Sequence, residues 1–275
     1  MLNDLNVFLL DMDGTVYLGD TLIDGAKDFL DTLKSLKKNY IFVTNNSSKS
    51  PKAYIEKLYK LGINVKREQI FTSADATIIY LKEHNPDIKN IFLLGTPSLK
   101  EQFLSYDYNI IEKREELNEL FKNKEKIDEI ILGFDTTLTY EKMHTACDLI
   151  REKGSYIATH PDLNCPLNNG KMMPDVGAMI AFIKASTKIE PTIIGKPSST
   201  MIDGLCKKYN FDKKELLMIG DRLYTDILIG READIKTALV FSGETTRAMY
   251  DNSNIAATYT YDSIKEIDKE LRKFL

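Results

Sequence analysis

The chain runs to 275 residues with 37 Lys and Arg against 41 Asp and Glu, a formal net charge of −4, and three cysteines. A length of this order accommodates one large core or two modest ones, and charges of both signs interspersed along it leave no electrostatic footprint for a nucleic acid polymer or an anionic membrane. The apolar runs fall far short of a membrane span, the N-terminus lacks both a basic region and a small-residue cleavage site, and Cys147, Cys165 and Cys206 show no CxxC spacing; the expectation is a soluble, cytoplasmic protein with reduced cysteines and neither a disulfide framework nor a zinc site.

The first element is the run Val7-Phe8-Leu9-Leu10, which stops on Asp11-Met12-Asp13-Gly14-Thr15. Continuous hydrophobicity bounded by a turn signal predicts a strand buried on both faces, its end emerging at the sheet edge where open α/β sheets bind ligands. If the strand continues through Met12, Asp11 and Asp13 point to the same side, and two like charges so close repel until a cation or a shared proton relieves them. Asp-Gly favours a sharp turn, and the Thr15 hydroxyl can bond back to nearby backbone. On its residues alone the stretch reads either as a turn with solvated acids or as a metal-supported carboxylate nucleophile with an acid/base partner.

Residues 23–38, with Phe29, Leu30, Leu33 and Leu36 on one face, predict a helix, and Tyr40-Ile41-Phe42-Val43 predicts a strand. The right-handed crossover of such a β-α-β unit sets its strands parallel. The second strand ends in Thr44-Asn45-Asn46-Ser47-Ser48, ahead of a helix opened by Pro51 and closed by Gly62. Hydroxyl and amide side chains between a buried strand and a helix start serve an anion site, and they serve ordinary helix capping equally well.

From residue 76 the alternation begins afresh, with a helix at 76–83, a strand at 90–94, a helix at 97–104, a strand pair at 108–110 and 127–132, a helix at 140–153 and a strand at 155–158. A turn-rich loop over 159–170, from Thr159 and His160 to Asn168, Asn169 and Gly170, precedes a helix at 175–185. Without repeats or low-complexity tracts, residues 76–187 are predicted as a second folded unit inserted into a first one made of 1–75 and 188–275. Thr192-Ile193-Ile194-Gly195 then reads as a strand followed by Lys196-Pro197, residues 198–209 as a helix, and Leu216-Leu217-Met218-Ile219 as a buried strand ending in Gly220-Asp221-Arg222-Leu223-Tyr224-Thr225-Asp226. A helix at 226–233, a strand at 235–240 and a helix at 262–272 complete the chain. Four apolar strands thus carry polar residues just beyond their C-terminal ends, and side by side in one parallel sheet those ends converge on one crevice. The expected fold class is α/β: a doubly wound, Rossmann-like parallel-sheet core with an inserted, smaller α/β cap domain.

Asp11-x-Asp13-Gly14-Thr15, Thr44-Asn45, Lys196-Pro197 and Gly220-Asp221-x-x-x-Thr225-Asp226 resemble, in order, the four motifs of the haloacid dehalogenase-like phosphohydrolase superfamily. The insert resembles the large α/β cap of its NagD-like and nitrophenylphosphatase-like branch, on the stretch from Gly133 to Lys142, the Ala-Thr-x-x-Asp loop from Ala158 to Asp162, and Gly177-Ala178. The cap loop departs from the pattern at His160, where related sequences usually have Asn.

The resemblance implies a phosphomonoesterase in which Asp11 is the nucleophile that becomes an aspartyl-phosphate and Asp13 the acid/base that protonates the leaving oxygen and then deprotonates water. It implies Mg²⁺ held by the Asp11 carboxylate, the Asp13 backbone carbonyl and Asp221, with Asp226 behind them orienting a metal-bound water or Lys196. Thr44, the Asn45 backbone and Lys196 would bind the phosphate oxygens, while His160 and Asp162 are the cap positions for reading the leaving group. The implied partner is a small phosphorylated metabolite, with no nucleic acid polymer and no membrane, and self-association through the cap is a further expectation. Two alternatives stay open: a phosphotransferase passing the group to an acceptor other than water, and a phospho-accepting signalling module.

Overall fold

The computed structural model describes residues 2–167 and 171–275, so Asn168, Asn169 and Gly170 of the predicted loop lie outside the described residues. The chain forms two compact units, one from the chain up to Thr44 with Pro51–Phe71 and Lys196–Leu275, the other from Asn45–Ser50 and Thr72–Gly195.

The first unit is built on a six-stranded sheet in the order Tyr259–Tyr261, Lys236–Val240, Leu216–Gly220, Val7–Leu10, Asn39–Thr44, Ile70–Thr72. The ladders from Tyr259–Tyr261 across to Asn39–Thr44 are all parallel. Every residue of Val7–Leu10 and of Leu216–Gly220 is buried, as strands covered on both faces require. From Val7–Leu10 the chain builds outward through Asn39–Thr44 on one side and from Leu216–Gly220 on the other, so the strand order reverses between these two neighbours. Leu10 lies opposite Ile219 in the ladder, which brings the residues just past both strands to the same edge at the switch point where such sheets bind ligands. Helices Ala26–Ser35 and Ile264–Leu271 cover one face, with the fully buried Phe8 and Phe29 packed edge to face at 6.1 Å.

The second unit has its own five-stranded parallel sheet, ordered Thr192–Ile193, Ile157–Ala158, Glu129–Leu132, Asn90–Leu94, Asn109–Ile111. Its core gathers Phe92, Leu94, Ile130, Leu132, Tyr156 and Ile183 beneath helices that include Tyr140–Lys153 and Val176–Thr187. The architecture is therefore a Rossmann-like α/β core with a second, smaller α/β unit.

Several elements depart from the sequence pattern. The strand predicted at 192–195 shrinks to Thr192–Ile193 and edges the second unit's sheet, so three of the four motif-bearing strands, and not all four, share the core sheet. Its exposed Thr192 and half-buried Ile193 suit an edge and would be unsatisfactory in a sheet centre. The two strands predicted as a pair, now Asn109–Ile111 and Glu129–Leu132, flank Asn90–Leu94 on opposite sides. Strands Asn164–Pro166 and Met172–Pro174 form an antiparallel hairpin where a loop was predicted, a pairing of three residues each that two prolines disguised. Helix Arg114–Lys122 also escaped the pattern, because only Leu117 and Leu120 of its nine residues are buried.

Candidate active site

Asp11 follows strand Val7–Leu10, and its amide donates one last ladder bond to the Ile219 carbonyl at 2.9 Å, which fixes where its side chain leaves the sheet. The strand does not continue through Met12. Instead the Met12 carbonyl accepts from the amides of Val16 at 2.9 Å and Tyr17 at 3.2 Å, while the Gly14 amide donates to the Tyr17 carbonyl at 2.8 Å. The alternation that set Asp11 and Asp13 on one side thus fails, because a turn has replaced the strand; Asp13 is exposed, whereas only 15% of the Asp11 side chain is. Gly14 makes this turn with a φ of +86°, and a Cβ there would lie 2.4 Å from Asp221 Oδ2. The position needs a glycine twice over, for its backbone and for the approach of Asp221.

Asp221 follows the neighbouring strand Leu216–Gly220 and is 2% exposed. Its Oδ2 accepts from the Glu244 amide at 2.6 Å, and its Oδ1 lies 3.5 Å from the Thr15 hydroxyl. Asp226 sits in the π-helical turn Leu223–Ile227, fully buried, with Oδ2 accepting from the Arg222 amide at 3.1 Å. Lys196 completes the group: its buried ammonium donates to Asp11 Oδ1 at 2.6 Å, to Asp226 Oδ1 at 2.7 Å and to the Val43 carbonyl at 3.3 Å. All three ammonium donors are used.

Two carboxylates therefore share one ammonium, a third joins them, and one oxygen each from Asp11, Asp221 and Asp226 lies within 4.8 Å of the others. Burial pushes the Asp11 carboxyl up to about 6, against the pull of Lys196 and with the push of Asp226. Asp221 is raised well above the usual carboxylate range, first by burial and then by the charges of Asp11 and Asp226. Burial works to lower Lys196, but Asp11 and Asp226 outweigh it and raise it. A carboxyl raised from 3.8 to about 6 binds more protons folded than unfolded between those values, so its contribution to stability declines as pH rises through that window. In chelator, Asp11→Asn, which lacks that titration, is expected to gain melting temperature relative to the wild type from pH 4 to 6.5. A difference independent of pH across that range would show that Asp11 titrates normally.

In the core, Thr44 ends strand Asn39–Thr44 and is 8% exposed. In the second unit, the Asn45 side-chain amide donates to Asp162 Oδ1 at 2.9 Å and the Asn45 backbone carbonyl accepts from the Ser73 hydroxyl at 2.5 Å. His160 is fully buried, its two ring nitrogens 2.9 Å from Thr159 Oγ1 and 3.1 Å from Asp175 Oδ1. The Ser47 hydroxyl accepts from the Phe134 amide at 3.0 Å and lies 3.1 Å from Thr159 Oγ1. His160 and Asp162 are thus engaged in bracing buried loops of the second unit, Asp162 directly on Asn45.

Sequence reasoning missed Ser242-Gly243-Glu244-Thr245. The Ser242 hydroxyl donates to the Gly14 carbonyl at 2.7 Å, the Thr245 amide to the Asp221 carbonyl at 3.2 Å, and a Cβ on Gly243 would fall 2.0 Å from Asp221 Oδ2. The signal was available: these residues follow the apolar strand Lys236–Val240 as the other motifs follow theirs.

Comparison with known proteins bears on the same residues. The haloacid dehalogenase-like hydrolase family matches residues 8–109 and the HAD-hydrolase-like family residues 193–267, spans that hold Asp11, Asp13, Thr44 and Asn45, then Lys196, Asp221 and Asp226. The chain is 34% identical over 266 residues to the acid sugar phosphatase of Staphylococcus aureus, covering 97% of this chain and 98% of that one. Among solved structures it resembles the 4-nitrophenylphosphatase of Thermotoga maritima, with a TM-score of 0.88, 39% identity and 98% of each chain covered. It also resembles a protein described provisionally as a nagD protein, with a TM-score of 0.87 and 38% identity over 98% of this chain and 100% of that one. No described helix is long and apolar enough to cross a membrane. With the motifs, the two-unit α/β fold and full-length relatives in agreement, the chain belongs to the haloacid dehalogenase-like hydrolases, as a phosphatase of their NagD-like branch.

Proposed function

We propose that the chain is a Mg²⁺-dependent phosphomonoester hydrolase that works through an aspartyl-phosphate on Asp11 and acts on a small phosphorylated metabolite chosen by the second unit. The observation that carries this reading is the gathering of Asp11, Asp221 and Asp226 around shared space, with Lys196 bonded to Asp11 and Asp226.

A divalent cation fits the donor set. The cluster offers only hard carboxylate oxygens, and Asp221 is a buried carboxylate whose ionisation is opposed by its neighbours, the situation a bound cation relieves. Asp11, the Asp13 backbone carbonyl and Asp221 would hold Mg²⁺, with Asp226 holding Lys196 from behind. The ion supplies charge neutralisation for the phosphoryl group and for the crowded carboxylates.

Asp11 acts as its carboxylate, with Lys196 fixing one oxygen so that the other can attack. An Asp11 oxygen bonds to phosphorus while the ester oxygen departs and takes a proton from Asp13. Asp13 then removes a proton from water, the water oxygen bonds to phosphorus, and the bond to Asp11 breaks to release phosphate and restore the carboxylate. Thr44 and the Asn45 backbone bind the non-bridging oxygens, and Lys196 adds a point charge. Asp162 holds the Asn45 side chain, and His160 holds the loop that carries Asp162.

A sugar phosphate is the substrate class favoured by the named activity of the Staphylococcus aureus relative. The test is phosphate release from 4-nitrophenyl phosphate and from a panel of phosphorylated sugars ranked by kcat/KM, with Mg²⁺ and after chelation. Many turnovers with Mg²⁺, loss of at least about 10²-fold on chelation and recovery on re-addition are expected. A single turnover would favour a phospho-accepting module, and transfer to added alcohols without free phosphate would favour a phosphotransferase.

A further inference from the structure

The geometry points to Glu244 as a positioning residue that aims Asp221 at a divalent cation by fastening the 242–245 loop to the segment that carries the acids. This inference deepens the function proposed above and rests on its reading of Asp221 as a metal ligand. The Glu244 amide donates to Asp221 Oδ2 at 2.6 Å, and the next amide, of Thr245, donates to the Asp221 carbonyl at 3.2 Å. One carboxylate oxygen of Asp221 is thereby committed to backbone, which leaves Oδ1, with the Thr15 hydroxyl 3.5 Å away, to face a cation and sets the rotamer in which it does so.

The Glu244 side chain turns back across the same segment. Its Oε2 accepts from the Tyr224 hydroxyl at 3.1 Å and pairs with Arg222 Nε at 3.0 Å, an ion pair out of line for a hydrogen bond. Arg222 and Tyr224 lie between Asp221 and Asp226 in the chain, and the Arg222 amide holds Asp226 Oδ2 at 3.1 Å. One carboxylate thus joins the loop that grips Asp221 to the loop that carries both acids. A looser tie here would let the amide drift from Oδ2 and Asp221 rotate, because the Thr15 hydroxyl reaches the carboxylate only at Oδ1 and only at 3.5 Å. Gly243 marks how close the approach is, since a Cβ there would lie 2.0 Å from Asp221 Oδ2. The Glu244 side chain is 33% exposed, so its removal opens no core.

The test is calorimetric titration of Mg²⁺ alone into the wild type, Glu244→Ala and Glu244→Gln, with melting temperatures in chelator and kcat against Mg²⁺ concentration. Glu244→Ala is expected to raise the Kd for Mg²⁺ about tenfold, to shift the half-saturating Mg²⁺ for turnover by the same factor, and to keep its melting temperature in chelator. Glu244→Gln, whose amide oxygen can still accept from the Tyr224 hydroxyl, should stay within about threefold of the wild type, and Gly243→Ala should lose binding by about 10²-fold. Equal Kd values for wild type and Glu244→Ala would overturn the inference, and so would a fall in melting temperature that accounts for the weakened binding. A wild type that binds no Mg²⁺ would instead remove the metal reading of Asp221, a failure told apart by the first titration.

Discussion

Asp11→Asn is expected to leave a folded protein whose turnover of 4-nitrophenyl phosphate is at least about 10⁴-fold below that of the wild type. The substitution is nearly isosteric, and the amide oxygen can still accept from Lys196, whose ammonium lies 2.6 Å from Asp11 Oδ1. What disappears is the negative charge and the nucleophilic oxygen. A carboxylate needs a positioned, charge-neutralised phosphorus more than it needs activation, so no neighbour can take its place. Acid-quenched wild-type enzyme should carry acid-stable, hydroxylamine-labile phosphate that the variant lacks. Residual turnover within tenfold of the wild type, or phosphate trapped elsewhere in the variant, would remove Asp11 from the nucleophile's role.

Lys196→Ala should produce the second large effect, and on two quantities together. The residue is 2% exposed and its ammonium is bonded to Asp11, Asp226 and the Val43 carbonyl, so its loss strands two carboxylates in a buried site. Removing one partner of a buried ion pair typically costs about 3–5 kcal/mol, because the remaining charge has neither water nor counterion. Denaturant unfolding in chelator should register a loss of that size, and turnover should fall by about 10³-fold from the missing charge at the phosphoryl group. Adding Asp226→Asn to Lys196→Ala should restore part of the stability and none of the turnover, since it removes the stranded charge without replacing the cation. A stability loss under about 1 kcal/mol would mean that water or another cation already serves these carboxylates.

The two variants separate what the primary structure made readable from what it did not. Asp11, Lys196, Asp221 and Asp226 stood out because each lies just past a hydrophobic run, and such runs announce themselves without any knowledge of neighbours. The same rule would have picked out Ser242-Gly243-Glu244-Thr245, which lacks the acid pair or the lysine that drew attention elsewhere. The conditional argument for Asp13 failed for a local reason: the Met12 carbonyl takes up the amides of Val16 and Tyr17, and a chain so folded cannot keep strand alternation.

Sheet membership was harder to read. Thr192–Ile193 has the composition of a strand, but which sheet it joins depends on a ladder with Ile157–Ala158, some 35 positions earlier, and short edge strands carry little pattern to declare their partners. His160 and Asp162 were conspicuous as polar residues in a loop, a feature common to side chains that meet ligands and to those that brace backbone. Only their burial and bonds, His160 to Thr159 and Asp175 and Asp162 to Asn45, distinguish the second use.

By itself the order of residues determined the chemistry on offer: an alternating α/β chain, an insert, and acids and a lysine placed at the ends of buried strands. Hydrophobic periodicity and turn chemistry are local properties, and a linear reading captures them. Tertiary structure alone decided that Lys196 bonds both Asp11 and Asp226, that the Glu244 amide grips Asp221, and that Asp162 holds Asn45, since these distances arise from strand order, ladder register and close backbone approach between segments as many as 185 positions apart.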